Sequence, residues 1–180
     1  MQLPGNAVNF QTTGYAYDAL GRQTSAAITG GTSATAVYDK AGRVTSTTAS
    51  GRTVSYQYDP AGNRTRIAWP DTAFFVTYAY DTLGRLGTVK QTGATSLAAY
   101  SYDDLSRVTG VTLGNGTSES RTYDAQGRLA TFTHDLAGTT GDVTRSYTYD
   151  QSGALKSVTT SNGAYDWNGP PCQPGDGCWD

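Results

Sequence analysis

Few side chains in this chain are suited to chemistry. His134 is the only histidine among 180 residues, and Asp135 follows it. A His–Asp pair can act as general base and acid near neutral pH. Adjacency does not aim one side chain at the other, however, and no Ser or Cys nucleophile stands out nearby. A histidine in a surface loop, within HDLAGTTGDVT, is the plainer expectation. Asp103 and Asp104 are adjacent carboxylates, and neighbours in a strand face opposite ways, which spoils them as a glycosidase pair. Cys172 and Cys178 enclose a short Pro/Gly loop in PPCQPGDGCWD. That loop accommodates a disulfide, with two free thiols as the alternative. A metal site would need more ligands than this pair, so no metal and no cofactor is expected.

The other candidates, Asp and Arg, recur. A Tyr-Asp pair stands at Tyr17-Asp18, Tyr38-Asp39, Tyr58-Asp59, Tyr80-Asp81, Tyr102-Asp103, Tyr123-Asp124 and Tyr149-Asp150, at steps of 20–22 residues until a last step of 26. Arg22, Arg43, Arg64, Arg85, Arg107 and Arg128 follow at nearly the same period. Gly21, Gly42, Gly84 and Gly127 immediately precede their arginines, and Gly62 does so with Asn63 between. Ser106 takes the glycine's place in the fifth copy; the seventh keeps Gly153 and has Leu155-Lys156 where an arginine is expected. Asp18 with Arg22, and Asp81 with Arg85, can meet across their turns. Catalysis needs one distinctive environment, whereas six near-identical copies point to structure, and exposed ion pairs contribute little by themselves.

The elements that carry these residues follow from the same period. Before each Asp, Tyr alternates with a small or polar residue, as in Tyr15/Tyr17, Tyr56/Tyr58, Tyr78/Tyr80, Tyr100/Tyr102 and Tyr147/Tyr149. Alternation at period two marks a strand with one packed face, and the seven tyrosines of the Tyr-Asp pairs are the expected packing residues. After the Arg come QTSAAI, VTSTTA, LGTVK, VTGVTL and LATFTH, rich in sheet formers. Between the two runs, DALG, DKAG, DPAG, DTLG and DAQG have turn chemistry: Asp accepts backbone hydrogen bonds and Gly takes a positive φ. The expected fold is all-β. About fourteen short strands form repeated antiparallel hairpins in a curved or spiralling sheet, each repeat stabilised by its neighbours. Residues 1–14 read as a lead-in, 15–160 as an array of about seven repeats, and 161–180 as a Pro/Gly/Cys-containing tail.

Composition narrows the function. Thirteen basic against fifteen acidic residues give a formal charge of -2, which favours neither nucleic acid nor an anionic membrane. No apolar run is long enough to span a bilayer, and the first residues lack the pattern of a secretory signal. Open sheet edges invite self-association. Aromatic rows suit carbohydrate stacking as well as sheet packing.

The stretch GRVTSTTASGRTVSYQYDPAGNRTRIAWPDTAFFVTYAYDTLGRL closely resembles the YD-repeat, or Rhs-repeat, family. That repeat builds the shells of bacterial polymorphic toxins, the C component of insecticidal toxin complexes and the extracellular barrel of teneurins. The resemblance implies a sheet strip spiralling into a hollow shell, in toxin members closed around a separate C-terminal effector domain. It also implies a secreted or cell-surface location. Seven repeats are too few to close such a container, and after Ser161 there is no Asp-Pro pair on which self-cleavage could rest. The expectation is therefore a non-enzymatic fragment or truncated relative of a shell, partnered by neighbouring repeats or by a toxin or cargo domain. A carbohydrate-binding adhesion module and a hydrolase built round His134 are the alternatives.

Overall fold

A computed structural model describes residues 11–71, 73–138 and 140–163. They form fourteen antiparallel strands laid down as repeated hairpins, as the alternation predicts. Contacts divide the chain into two compact units, Met1–Tyr78 with Gln91–Gly93, and Ala79–Lys90 with Ala94–Asp180. In the first unit lie β1 (Thr13–Tyr17), β2 (Gln23–Ile28), β3 (Ser33–Tyr38), β4 (Val44–Ala49), β5 (Arg52–Tyr58), β6 (Arg64–Ala68) and most of β7 (Phe75–Tyr80). The second holds β8 (Leu86–Gln91) up to Lys90, then β9 (Thr95–Tyr102), β10 (Val108–Leu113), β11 (Ser118–Tyr123), β12 (Leu129–Asp135), β13 (Val143–Tyr149) and β14 (Leu155–Thr160). Within each unit, every strand pairs with its neighbours in chain order.

The turns explain why Asp and Gly sit where they do. At residues 81–85 the Asp81 N–H donates to the Arg85 carbonyl at 2.9 Å, and the Gly84 N–H donates to the Asp81 carbonyl at 3.0 Å. The Asp81 carboxylate meanwhile accepts the N–H groups of Leu83 and Arg85, each at 2.9 Å. This is a tight turn that ends in a left-handed residue, and Gly84 supplies it at φ 76°. Ser106 occupies the same position at φ 63°, a conformation that costs an L-residue about 1–2 kcal/mol. Past six of the turns the returning strand carries a one-residue bulge. Ala16 pairs with Ser25 and Tyr17 with Gln23, which skips Thr24; Thr45, Thr65 and Thr109 are skipped in the same way.

Packing is thin. Among the described residues only Val76 and Ala98, each 8% exposed, are buried apolar residues, and no polar residue is buried. A conventional core is therefore not what holds the strands. Stability has to come from the backbone ladder and from side chains lying across neighbouring strands. On the face opposite the tyrosine rows, hydroxyl pairs such as Thr48–Thr53 at 2.7 Å and Thr133–Thr144 at 2.9 Å join adjacent strands.

His134 lies in β12, paired with Glu119 of β11 and Val143 of β13, and not in a loop. The alternation of LATFTHD simply continues to Asp135, so the enlarged loop of the sixth repeat begins at Leu136. Cys172, Cys178 and the tail from residue 164 lie outside the described residues.

Candidate functional site

The repeated Asp, Arg and Tyr converge into one arrangement, seen most fully at Arg43. Its Nε donates to Asp39 Oδ2 at 2.7 Å, which closes its own turn. Its Nη1 reaches forward to the Asp59 carbonyl of the following turn at 2.9 Å. The guanidinium lies 4.8 Å from the centre of the Tyr58 ring. Tyr58 in turn donates its hydroxyl to the Val44 carbonyl, one residue past Arg43, at 2.9 Å. One arginine thus ties its own turn, the next turn and the next tyrosine, and that tyrosine reaches back.

The same clasp recurs in both compact units. Arg22 pairs with Asp18 at 2.6 Å and lies 4.6 Å from the Tyr38 ring, while Tyr38 donates to the Gln23 carbonyl. Arg85 pairs with Asp81 at 2.6 Å, lies 4.6 Å from the Tyr102 ring and donates to the Asp103 carbonyl and to Ser106 Oγ, both at 3.1 Å. Arg107 with Tyr123 and Arg128 with Tyr149 repeat the stacking at 4.2 and 4.4 Å. Tyr102, Tyr123 and Tyr149 donate to the Leu86, Val108 and Leu129 carbonyls. Cation–π contact of this kind strengthens as the groups are desolvated, and here both partners are half-buried.

Two repeats vary the scheme. Asn63, not Arg64, completes the third turn: its N–H donates to Asp59 Oδ1 at 2.8 Å and its side-chain amide to Oδ2 at 3.0 Å. Arg64 begins β6 and lies 5.9 Å from the rings of both Tyr56 and Tyr78. In the seventh repeat Ala154 holds the arginine's place. Its N–H donates to Asp150 Oδ1, and the Asp150 N–H donates to its carbonyl, at 2.9 Å each. Gly153 takes φ 91° there, and Leu155-Lys156 follow as the start of β14.

The electrostatics follow from this geometry. Every turn aspartate is held below its ordinary value. In Asp39 and Asp81 the chief cause is the backbone N–H of the turn arginine, helped by its side chain. For Asp18, Asp103 and Asp124 partial desolvation is the largest influence and raises the value, but the hydrogen bonds from Arg22, Arg107 and Arg128 together outweigh it. The Asn63 amide does this for Asp59, and the Ser152 hydroxyl does it for Asp150. These carboxylates are ionised acceptors fully engaged by their turns, the opposite of a poised general acid.

The His134 ring is 6.5 Å from Phe132, with Glu119 opposite in the ladder. Asp103 and Asp104 follow β9 as part of a turn. The tyrosine row two residues before each Tyr-Asp pair is broken by Ala36 and by Arg121, which pairs with Glu119 at 2.6 Å and lies over Phe132. A hollow of about 180 Å³ opens at Ala36, lined by small side chains including Ala34, Thr47 and Ala49, without a charged group. Ligand pockets are typically about 300–1,000 Å³ and carry placed polar groups. Among the described residues no group of His, Cys, Asp and Glu is set to hold a metal ion.

The forward reach of the arginine and the backward bond of the tyrosine were not foreseen from sequence. Their signal was present in the steady alternation of Arg and Tyr between successive repeats.

A family profile described as RHS Repeat matches residues 38–73, and one described as Teneurin YD-shell matches residues 75–168. No curated protein matches the chain. Among solved structures, the chain is similar to the TcdB2-TccC3 complex (19% identity over 89% of this chain, TM-score 0.64). It is also similar to that complex without its hypervariable C-terminal region (20% over 89%, TM-score 0.65), and to the Photorhabdus luminescens Tc holotoxin pore (18% over 86%, TM-score 0.64). This chain spans only about a tenth of the length of those chains, with 9–10% of each covered.

Proposed function

The chain belongs to the YD-repeat shell family, and from that premise we propose that it is a non-catalytic wall segment of a shell that encloses a toxin or other cargo domain. It is a structural β-repeat module related to the Rhs and Tc toxin shells. One observation carries the finer reading. Arg22, Arg43 and Arg85 each use Nε within their own turn and Nη1 on the next turn. The tyrosine hydroxyls between them are bonded to backbone carbonyls. The groups that would be reagents in an enzyme are engaged in joining one repeat to the next. A wall needs such uniform joints, and it needs no deep pocket.

A shell segment of this kind works outside the producing cell or at its surface, as part of a larger chain or assembly. Limited proteolysis of the protein made from its native locus, read by intact mass, tests this. The reading expects a product well above 19.0 kDa, with further repeats and an unrelated domain that resists protease until the repeats are cut. A stand-alone product of that mass that binds glycans saturably, and loses binding with Tyr56→Ala, would contradict it.

A further inference from the structure

In the first compact unit the tyrosine row is interrupted in the second repeat, and the interruption leaves a hollow. Two residues before their Tyr-Asp pairs, Tyr15, Tyr56, Tyr100 and Tyr147 stand opposite Ala26, Ile67, Val111 and Val158 in their ladders. Ala36 holds that position in the second repeat, opposite Thr47. The next pair on the same face, Ala34 and Ala49, is small as well, whereas Ile28 and Leu113 stand at the positions equivalent to Ala49. Alternation along β3 puts Ala34 and Ala36 on the face of Tyr38. These four side chains, with Gln23, border the hollow of about 180 Å³, and no charged residue lines it.

Size and lining limit what the hollow takes. Apolar cavities of about 150 Å³ hold one benzene-sized ring, so there is room for a single ring and not for a larger ligand. An ionised group would find no partner among the lining residues, and burying a charge unpaired is costly. The other repeats show which ring the surface matches. Four of them carry a phenol side chain at the position of Ala36, in the same register against the returning strand.

We propose that the hollow at Ala36 is a binding site for one neutral phenolic ring, supplied by a small free phenol or by a tyrosine side chain of a partner chain. The ring lies over Ala36 and Thr47 and completes the interrupted row. Removal of its apolar surface from water drives binding. The Gln23 amide and the Thr47 hydroxyl are the polar groups at the border that its hydroxyl can meet. The site belongs to the fold of this chain and holds whether or not the chain is a shell wall.

The test is a titration of p-cresol into the full chain, followed by amide ¹H–¹⁵N NMR. Saturable shifts are expected at Ala34, Ala36, Thr47 and Ala49, half-complete at about 1–10 mM, the range a ligand of one ring reaches. Benzoate, of similar size but charged, should bind at least about tenfold more weakly. Ala36→Tyr fills the hollow with the residue that four other repeats carry there, and should abolish the p-cresol shift at Thr47 while the strand amides stay dispersed. Ala49→Leu, which copies Leu113, fills it from the other strand and serves if Ala36→Tyr does not fold. The peptide acetyl-Gly-Tyr-Gly-amide separates the two sources. Binding as tight as that of p-cresol assigns the site to a tyrosine side chain, and binding of p-cresol alone assigns it to a free phenol. No saturable shift up to the solubility of p-cresol overturns the proposal. So do shifts spread evenly over the tyrosine rows, binding that survives the filling substitutions, and benzoate bound as tightly as p-cresol.

Discussion

Removing a single oxygen from Tyr58 separates the clasp from ordinary surface packing. Tyr58→Phe keeps the ring under Arg43 and deletes the 2.9 Å bond to the Val44 carbonyl. A neutral intramolecular hydrogen bond contributes a net of about 0.5–1.5 kcal/mol. The site is half-buried, so water can partly replace the lost donor, and a loss of about 1 kcal/mol is expected. For a chain of this size that lowers the thermal midpoint by about 2–4 °C. Tyr17→Phe is the internal control: Tyr17 is exposed and its hydroxyl makes no corresponding bond, so its effect should stay within about 0.5 kcal/mol. Thermal and urea unfolding followed by circular dichroism give both values on the same chain. Equal effects at the two positions would refute the reasoning, since the bonded and unbonded hydroxyls would then contribute alike.

Other outcomes follow from the same geometry. Gly84→Val places a β-branched residue at φ 76°; the neighbourhood is open, so the cost is conformational, at least about 1–2 kcal/mol, and a midpoint equal to the parent's would show that the turn tolerates it. Ser106→Gly relieves the same strain at φ 63° but gives up the bond from Arg85; the net should be a stabilisation of under about 1 kcal/mol, read in urea, and a clear destabilisation would mean that the Arg85 bond outweighs the strain. The pH dependence comes from aspartates whose values are depressed in the fold. Their contribution is complete above the ordinary value of 3.8 and is lost as pH falls through the lower folded values. The midpoint should therefore hold from pH 7 to about 5 and drop below about 4, whereas a loss already complete at pH 5 would contradict this origin.

Much of this was legible in the sequence because the chain repeats its local rules. Tyr alternating with small residues gives strands, and Asp followed by a residue able to take positive φ gives turns. Where the glycine was absent, Ser106 still took φ 63°, since the neighbouring repeats hold that turn in place. Elsewhere the pattern misled by small offsets. Arg64 matched the arginine period, yet the hydrogen-bond geometry of the turn fixes the residue four after Asp59, which is Asn63. His134 read as loop because Gly and Thr follow it, but the ladder from β11 carries β12 through Asp135. The clasp itself was beyond reach. It depends on the bulge after the turn and on which carbonyl the register brings beneath the next tyrosine, and neither follows from residue types alone.

A double-mutant cycle on Arg43 and Tyr58 tests the central claim most directly, namely that the repeated Asp–Arg–Tyr set exists to couple one repeat to the next. Arg43→Met and Tyr58→Leu remove the charge and the ring while keeping bulk. The account predicts a coupling of about 0.5–1 kcal/mol, the size of a partly exposed cation–π contact. It also predicts additivity, to within about 0.5 kcal/mol, for Arg43→Met with Tyr17→Leu, a residue of β1 that β2 and β3 separate from it in the ladder. No coupling between Arg43 and Tyr58 would contradict the claim and leave the arginine as a turn residue only.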